Sequence, residues 1–180
     1  MILVDNLRAA TLAVERLAGR GHRHIGLLAG PPTSPSSLQR VEGFRRALEA
    51  CGLPVDENCI VPGPPTLEGG VEAAGWVLAR HSEVTALCAY NDMMALGALA
   101  TLAGMRQPRA SSARPVRGDR FRRHPAGVLG QQYGALSTVR VDKYDLGRQA
   151  MQCLWALLEN PGLSLPAVGI AVELVVREST

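Results

Sequence analysis

The 180-residue chain contains no apolar run long enough to cross a bilayer, which excludes a membrane-spanning helix as its organising element. Its opening, Met1 to Asn6, has neither a basic n-region nor a long apolar h-region, so it does not read as a secretory signal. It reads instead as the end of a strand, as if the chain starts inside a fold. The four cysteines, Cys51, Cys59, Cys88 and Cys153, show no CxxC spacing. Free buried thiols in a reducing, cytoplasmic compartment are expected rather than a zinc site or a disulfide framework. The histidines show no metal-ligand spacing either; His22 and His24 flank Arg23 at an expected helix-to-strand turn. No GxxxxGK[ST], GxSxG or Gly-rich dinucleotide fingerprint is present, and no motif sets two carboxylates together. The sequence therefore calls for no cofactor or metal, and its reading is not that of an enzyme.

Acidic residues are scarce in one place. Seven arginines (106, 109, 114, 117, 120, 122 and 123) share a short stretch with a single acid, Asp119. Without that stretch, 12 basic residues face 15 acidic ones, so the formal charge of +3 belongs to one segment and not to the whole surface. Such a segment can form a nucleic-acid or membrane patch. Nucleic-acid binders of this kind interleave aromatics and glycines for stacking, and here only Phe121 and Tyr133 are available.

What is present is β and α in alternation. An apolar content of 47% and this length suit a globular domain with a real core. Asp5 or Asn6 caps a helix that stops at Gly19-Arg20-Gly21. His24 to Ala29 is a near-continuous apolar strand, as in a parallel sheet covered on both faces. Ser36 to Gln39 fits a capping box opening a helix that ends at Cys51-Gly52. Cys59 to Val61 is a brief strand, and a helix spans about Leu67 to Arg80. Val84 to Ala89 is a strand that passes through Tyr90-Asn91-Asp92 into a helix rich in Ala, Leu and Met, ending near Gly104. Leu136 to Val141 is a strand, Asp142 caps a helix closed by Asn160-Pro161-Gly162, and Val168 to Val176 is a last strand. The order predicts an α/β, doubly wound parallel sheet. Open sheets of this kind bind ligands at the carboxyl ends of their strands, which is where Asn91 and Asp92 fall. Asn91 fits a helix cap there equally well.

Several segments together resemble the effector-binding core of the lactose/galactose-repressor family of bacterial transcription regulators. They are Asp5-Asn6, Gly21 to Gly26, Leu28 to Pro31, Arg40 to Phe44, Tyr90 to Ala98, and Leu136 to Asp142. The resemblance implies a type I periplasmic-binding-protein-like fold: two lobes joined by crossing strands, with a small effector in the cleft. It places residues 1–135 in the second lobe and 136–180 in a crossing strand, a first-lobe helix (142–159) and a returning strand (168–176). That helix would then lack its usual neighbours. The resemblance assigns Arg40 and Asn91 to the effector, with Ser34 and Ser36 on the cleft loop as hydrogen-bond donors. Their structural alternatives are a surface arginine and helix caps. Pro65 stands where the family often has an aromatic that stacks on the ligand. Met94 and Leu96 fall on the helix that meets a second subunit, or else are ordinary core.

The expected partners follow from the resemblance: a sugar-like or purine-like effector, a second copy of the chain, and operator DNA only through a helix-turn-helix head that is not seen here. Effector binding would act by shifting a population of lobe arrangements. A transporter's sugar-binding protein shares the fold and is the alternative, though it requires export; a small α/β enzyme is the other.

From Gln107 to Gly134 the resemblance fails. The family has there a strand reading roughly Ser-Val-Val-Gly-Phe-Asp-Asp-Ile-Pro, whose acid holds the effector. Residues Asp119 to Pro125 can be encoded by codons that, read one base later, spell Ile-Gly-Phe-Asp-Asp-Ile-Pro. Codons allowed for Val116-Arg117-Gly118 permit Ser-Val-Val in the same frame. The expectation is an out-of-frame stretch between two compensating indels.

Overall fold

The computed structural model describes residues 2–106 and 136–180. The arginine-rich segment and its out-of-frame reading lie outside the described residues. In chain order the elements are β1 (Ile2–Val4), α1 (Asn6–Gly19), β2 (Ile25–Ala29), α2 (Pro35–Ala50), a 3-10 turn (Glu57–Cys59), β3 (Ile60–Pro62), α3 (Leu67–Arg80), β4 (Ala86–Ala89), α4 (Asp92–Arg106), β5 (Thr138–Val141), α5 (Lys143–Glu159), β6 (Val168–Ile170) and β7 (Val172–Val175).

A parallel sheet of order β3-β2-β4 forms the centre. All five residues of β2 are buried, because both of its faces are covered. Side chains alternate across a strand, so Ile25, Leu27 and Ala29 pack on one side with Val14, Leu17, Phe44 and Leu48 of α1 and α2. Leu28 packs on the other side with Ala74 and Val77 of α3 and Met94 and Ala98 of α4. Each fully buried Leu or Val stabilises the fold by about 1.5–3 kcal/mol relative to exposure. This is the doubly wound core read from the sequence.

Local chemistry sets the ends of the elements. Asp5 caps α1 by accepting from the Arg8 N–H at 2.8 Å, and Asp142 caps α5 by accepting from the Asp145 N–H at 2.9 Å. Gly21 has φ +89° and Gly52 φ +65°, the left-handed conformation that lets the chain leave α1 and α2 without a Cβ clash.

Three expectations need correction. The capping box at Ser36 to Gln39 does not form: α2 starts at Pro35, preset for a first helical position, and Ser34 occupies the cap position without a side-chain capping bond. The last strand is two. Beyond Ala171 the chain changes sheets, so β6 pairs parallel with β1 while β7 pairs antiparallel with β5. That second pairing sets Arg140 opposite Glu173, with Nη2 donating to Oε2 at 2.6 Å. Finally, Met94 and Leu96 are 0% and 1% exposed. They are core residues with no surface to offer a second subunit, because Met94 faces α3.

The contact between α3 and α4 depends on glycine. A Cβ on Gly97 would sit 2.1 Å from the Leu67 carbonyl oxygen, and one on Gly70 would sit 2.2 Å from that of Met94. Gly43 lets α2 approach α1 in the same way, 2.6 Å from the Leu7 oxygen. By contrast α5 has no buried residue, and Tyr144, Met151, Trp155 and Leu158 stand in solvent.

Candidate effector site

The carboxyl ends of β2 and β4 lead into the loop before α2 and the turn before α4. Four of the expected site residues lie here, at the edge of the sheet where such folds bind ligands. Three of them join one polar chain. Ser34 Oγ and Ser36 Oγ are 2.9 Å apart, and Ser36 Oγ lies 2.8 Å from the Tyr90 hydroxyl. The Arg40 guanidinium then lies over the Tyr90 ring, 4.8 Å from its centroid, in cation–π geometry. Arg40 Nε donates to Asn6 Oδ1 at 3.1 Å. Asn6 is itself buried, and its amide donates to Gln39 Oε1 at 3.0 Å and to the Val4 carbonyl at 3.2 Å.

Arg40 is therefore aimed from one end. Its Nε and its flat face are occupied, while its terminal nitrogens make no hydrogen bond among the described residues. Those nitrogens form the fork that holds a carboxylate or a hydroxyl pair bidentately. Burial lowers the Arg40 pKa, and the nearby Tyr90 and Asp92 oppose that shift; an arginine remains charged in either case. The Tyr90 pKa is lowered by the hydrogen bonds from Ser36 and Ser34 and by the Arg40 charge.

Asn91 takes the structural alternative given for it, a helix cap, and adds a bond across to the loop before α3. Its Oδ1 accepts from the Met94 N–H at 2.9 Å and so caps α4, and its Nδ2 donates to the Pro65 carbonyl at 3.0 Å. The second bond ties the turn before α4 to the loop before α3. One amide hydrogen is left for a ligand. Pro65 presents a carbonyl here rather than an aromatic face. Asp92 accepts from the Thr138 hydroxyl at 2.7 Å, which fastens the start of α4 to β5.

Tyr90, Asn6 and Gln39 were not singled out as site residues in the sequence. A signal for Tyr90 existed in Gly30, where a Cβ would stand 2.8 Å from the phenol ring, so only glycine lets the ring lie over the loop. The sequence offered Asn6 and Gln39 only as helix-cap residues; their bonds to Arg40 and to each other depend on α1 and α2 crossing closely at Gly43.

Residues 1–117 match the family model described as "Periplasmic binding proteins and sugar binding domain of LacI family". The HTH-type transcriptional repressor CytR of Escherichia coli K12 is 32% identical over 98% of this chain and 50% of its own length. The HTH-type transcriptional regulator GalS of Salmonella typhimurium is 38% identical over 56% of this chain and 32% of its own length. Among solved structures, a transcriptional regulator CelR–cellobiose complex superposes with TM-score 0.81 at 25% identity, covering 99% of this chain and 53% of that one. A LacI-family regulatory protein from Chloroflexus aggregans gives TM-score 0.80 at 26% identity, over 99% and 62%. The chain spans about half the length of the curated repressor that it matches throughout.

Proposed function

This chain belongs to the family of periplasmic binding proteins and LacI-family sugar-binding domains, and on that premise we propose that it is the effector-sensing part of a bacterial transcription regulator. The observation that carries this reading is the half-occupied Arg40 guanidinium. It is held by Asn6 and Tyr90 at the carboxyl edge of the sheet, with Ser36 and Ser34 bonded in turn to Tyr90 and Asn91 next to Tyr90 in the chain. A sugar-like or purine-like effector suits this set. Arg40 holds a hydroxyl pair or an acid, the serines and Asn91 supply further hydrogen bonds, and no group present is set up for covalent chemistry. A CelR structure in the family is a cellobiose complex, which supports a sugar-like ligand.

In this reading residues 1–135 form the second lobe of a two-lobed cleft and 136–180 cross toward the first. The uncovered apolar side chains of α5 support that division, since a first lobe would bury them. Ligand closure would change the geometry of a homodimer and so control operator DNA held by a separate head. The working location is the cytoplasm. A transporter's binding protein fits the same family description, but the curated relatives reported above are transcription regulators, which favours the regulator.

The test is calorimetry on a chain with both lobes joined, titrated with a panel of sugars and nucleosides. Arg40→Ala should weaken binding of the responsive ligand by roughly ten- to hundred-fold, from about 1.5–3 kcal/mol for a lost charged hydrogen bond. Unchanged affinity removes Arg40 from the site.

A further inference from the structure

A second cluster lies at the opposite end of the sheet, before β3 and β4 begin. Asp56 caps the 3-10 turn, Cys59 ends it, His81 caps the C-terminus of α3, and Glu83 lies in the turn before β4. One ligand atom from each of the four lies within 4.8 Å of the others. Three of the separations are shorter still. Cys59 Sγ is 3.5 Å from Asp56 Oδ2, which is 3.6 Å from His81 Nδ1, and His81 Nδ1 is 3.3 Å from Glu83 Oε1. We propose that Asp56, Cys59, His81 and Glu83 form a tetrahedral site for a divalent metal of the Zn2+ class.

Three of the six donor separations fit such an ion as they stand, and the others lie within 4.8 Å. Zinc holds S, N and O donors at about 2.0–2.3 Å, so the edges of its tetrahedron measure roughly 3.3–3.7 Å. The mixed sulfur, nitrogen and oxygen set selects zinc or cobalt over the hard cations calcium and magnesium, which take oxygen alone. The donors are also held from behind. Asp56 Oδ1 accepts from the Asn58 N–H at 2.9 Å and from its amide at 3.1 Å, which leaves Oδ2 turned to the cluster. The His81 imidazole packs near Trp76, 5.8 Å between centroids, and the His81 N–H donates to the Val77 carbonyl at 2.8 Å. Cys59 is 4% exposed, so its thiol is buried, and among the described residues it donates to Asp56 Oδ2.

The sequence hid this site because its ligands come from two connections that neighbour each other only in space. β3 and β4 lie on either side of β2, so a bound ion would staple the two outer strands below the middle one. Without an ion, burial and the carboxylates of Asp56 and Glu83 push the Cys59 thiol up to about 12. The thiol is then neutral and unreactive, and an incoming metal must displace its proton.

The experiment uses the full 180-residue chain, stripped with chelator and titrated with cobalt chloride and then zinc chloride. Cobalt should give intense tetrahedral visible bands and a near-ultraviolet thiolate-to-metal band, and zinc should displace it. Cys59→Ser should abolish the thiolate band, while Cys51→Ser and Cys153→Ser keep it. Glu83→Gln, a near-isosteric change on a half-exposed residue, should weaken binding by about ten-fold or more. It keeps the question open to test if Cys59→Ser does not fold. Zinc should also raise the melting temperature of the chain, and raise that of Glu83→Gln by less at the same metal concentration. No thiolate band, a band lost with Cys51→Ser or Cys153→Ser instead, or unchanged affinity in Glu83→Gln overturns the proposal. None of these results bears on Arg40.

Discussion

Gly97→Ala should destabilise the chain, although alanine is the better helix former. A Cβ at Gly97 would stand 2.1 Å from the Leu67 carbonyl oxygen, 2.7 Å from the Val71 nitrogen and 2.9 Å from the Gly70 carbonyl carbon. All three are backbone atoms of α3 and cannot swing aside as a side-chain tip can. Ordinary van der Waals contact begins near 3.4 Å, so α4 must retreat by more than an ångström. The retreat loosens Met94 and Ala98 from Ala73, Ala74 and Val77. Overpacking of a tight core costs about 1–3 kcal/mol, and the rigidity of the obstacle puts this case at the upper end. The helix-propensity gain from glycine to alanine returns about 1 kcal/mol. The net loss is about 2 kcal/mol, or a melting temperature lower by roughly 4–8 °C for a chain of this size. Gly75→Ala is the control, since no atom lies within 4 Å of its Cβ position in α3. It should gain about 0.5–1 kcal/mol from propensity alone. Urea unfolding followed by circular dichroism measures both. If Gly97→Ala proves as stable as the parent, or moves with Gly75→Ala, the close α3–α4 approach is wrong.

Two further outcomes follow from other parts of the molecule. Burial, and then the Arg20 charge, lower the His22 pKa, and its Nδ1 lies 3.0 Å from the Thr85 hydroxyl. The unfolded chain then binds the proton more readily, so stability falls as pH drops through the ordinary histidine range toward the lowered folded pKa. His22→Gln should flatten that part of the stability–pH curve; an unaltered curve refutes the assignment. Resequencing the gene across codons 107–134 should reveal Ile-Gly-Phe-Asp-Asp-Ile-Pro one base out of frame with Asp119 to Pro125. Codons that do not spell the motif refute it.

By itself the sequence determined the elements and the class of the fold. The apolar run from Ile25 to Ala29, bounded by turn signals, reads as a strand covered on both sides, and Asp5, Asn91 and Asp142 cap their helices through bonds that span a few residues. It also singled out Arg40, Ser34, Ser36 and Asn91, which the fold places near the carboxyl edge of the sheet. The tertiary structure decided everything that depends on crossing geometry. It put Met94 and Leu96 inside, where α4 packs closely on α3 through Gly70 and Gly97. It divided the last strand between two sheets, because pairing partners separated by more than thirty residues leave no local trace in a continuous apolar run. It gave Arg40 its bearing on Asn6 and Tyr90, and it gathered Asp56, Cys59, His81 and Glu83 from two connections. Side-chain constellations of that kind are assembled by packing, and packing is not encoded in any single stretch of the chain.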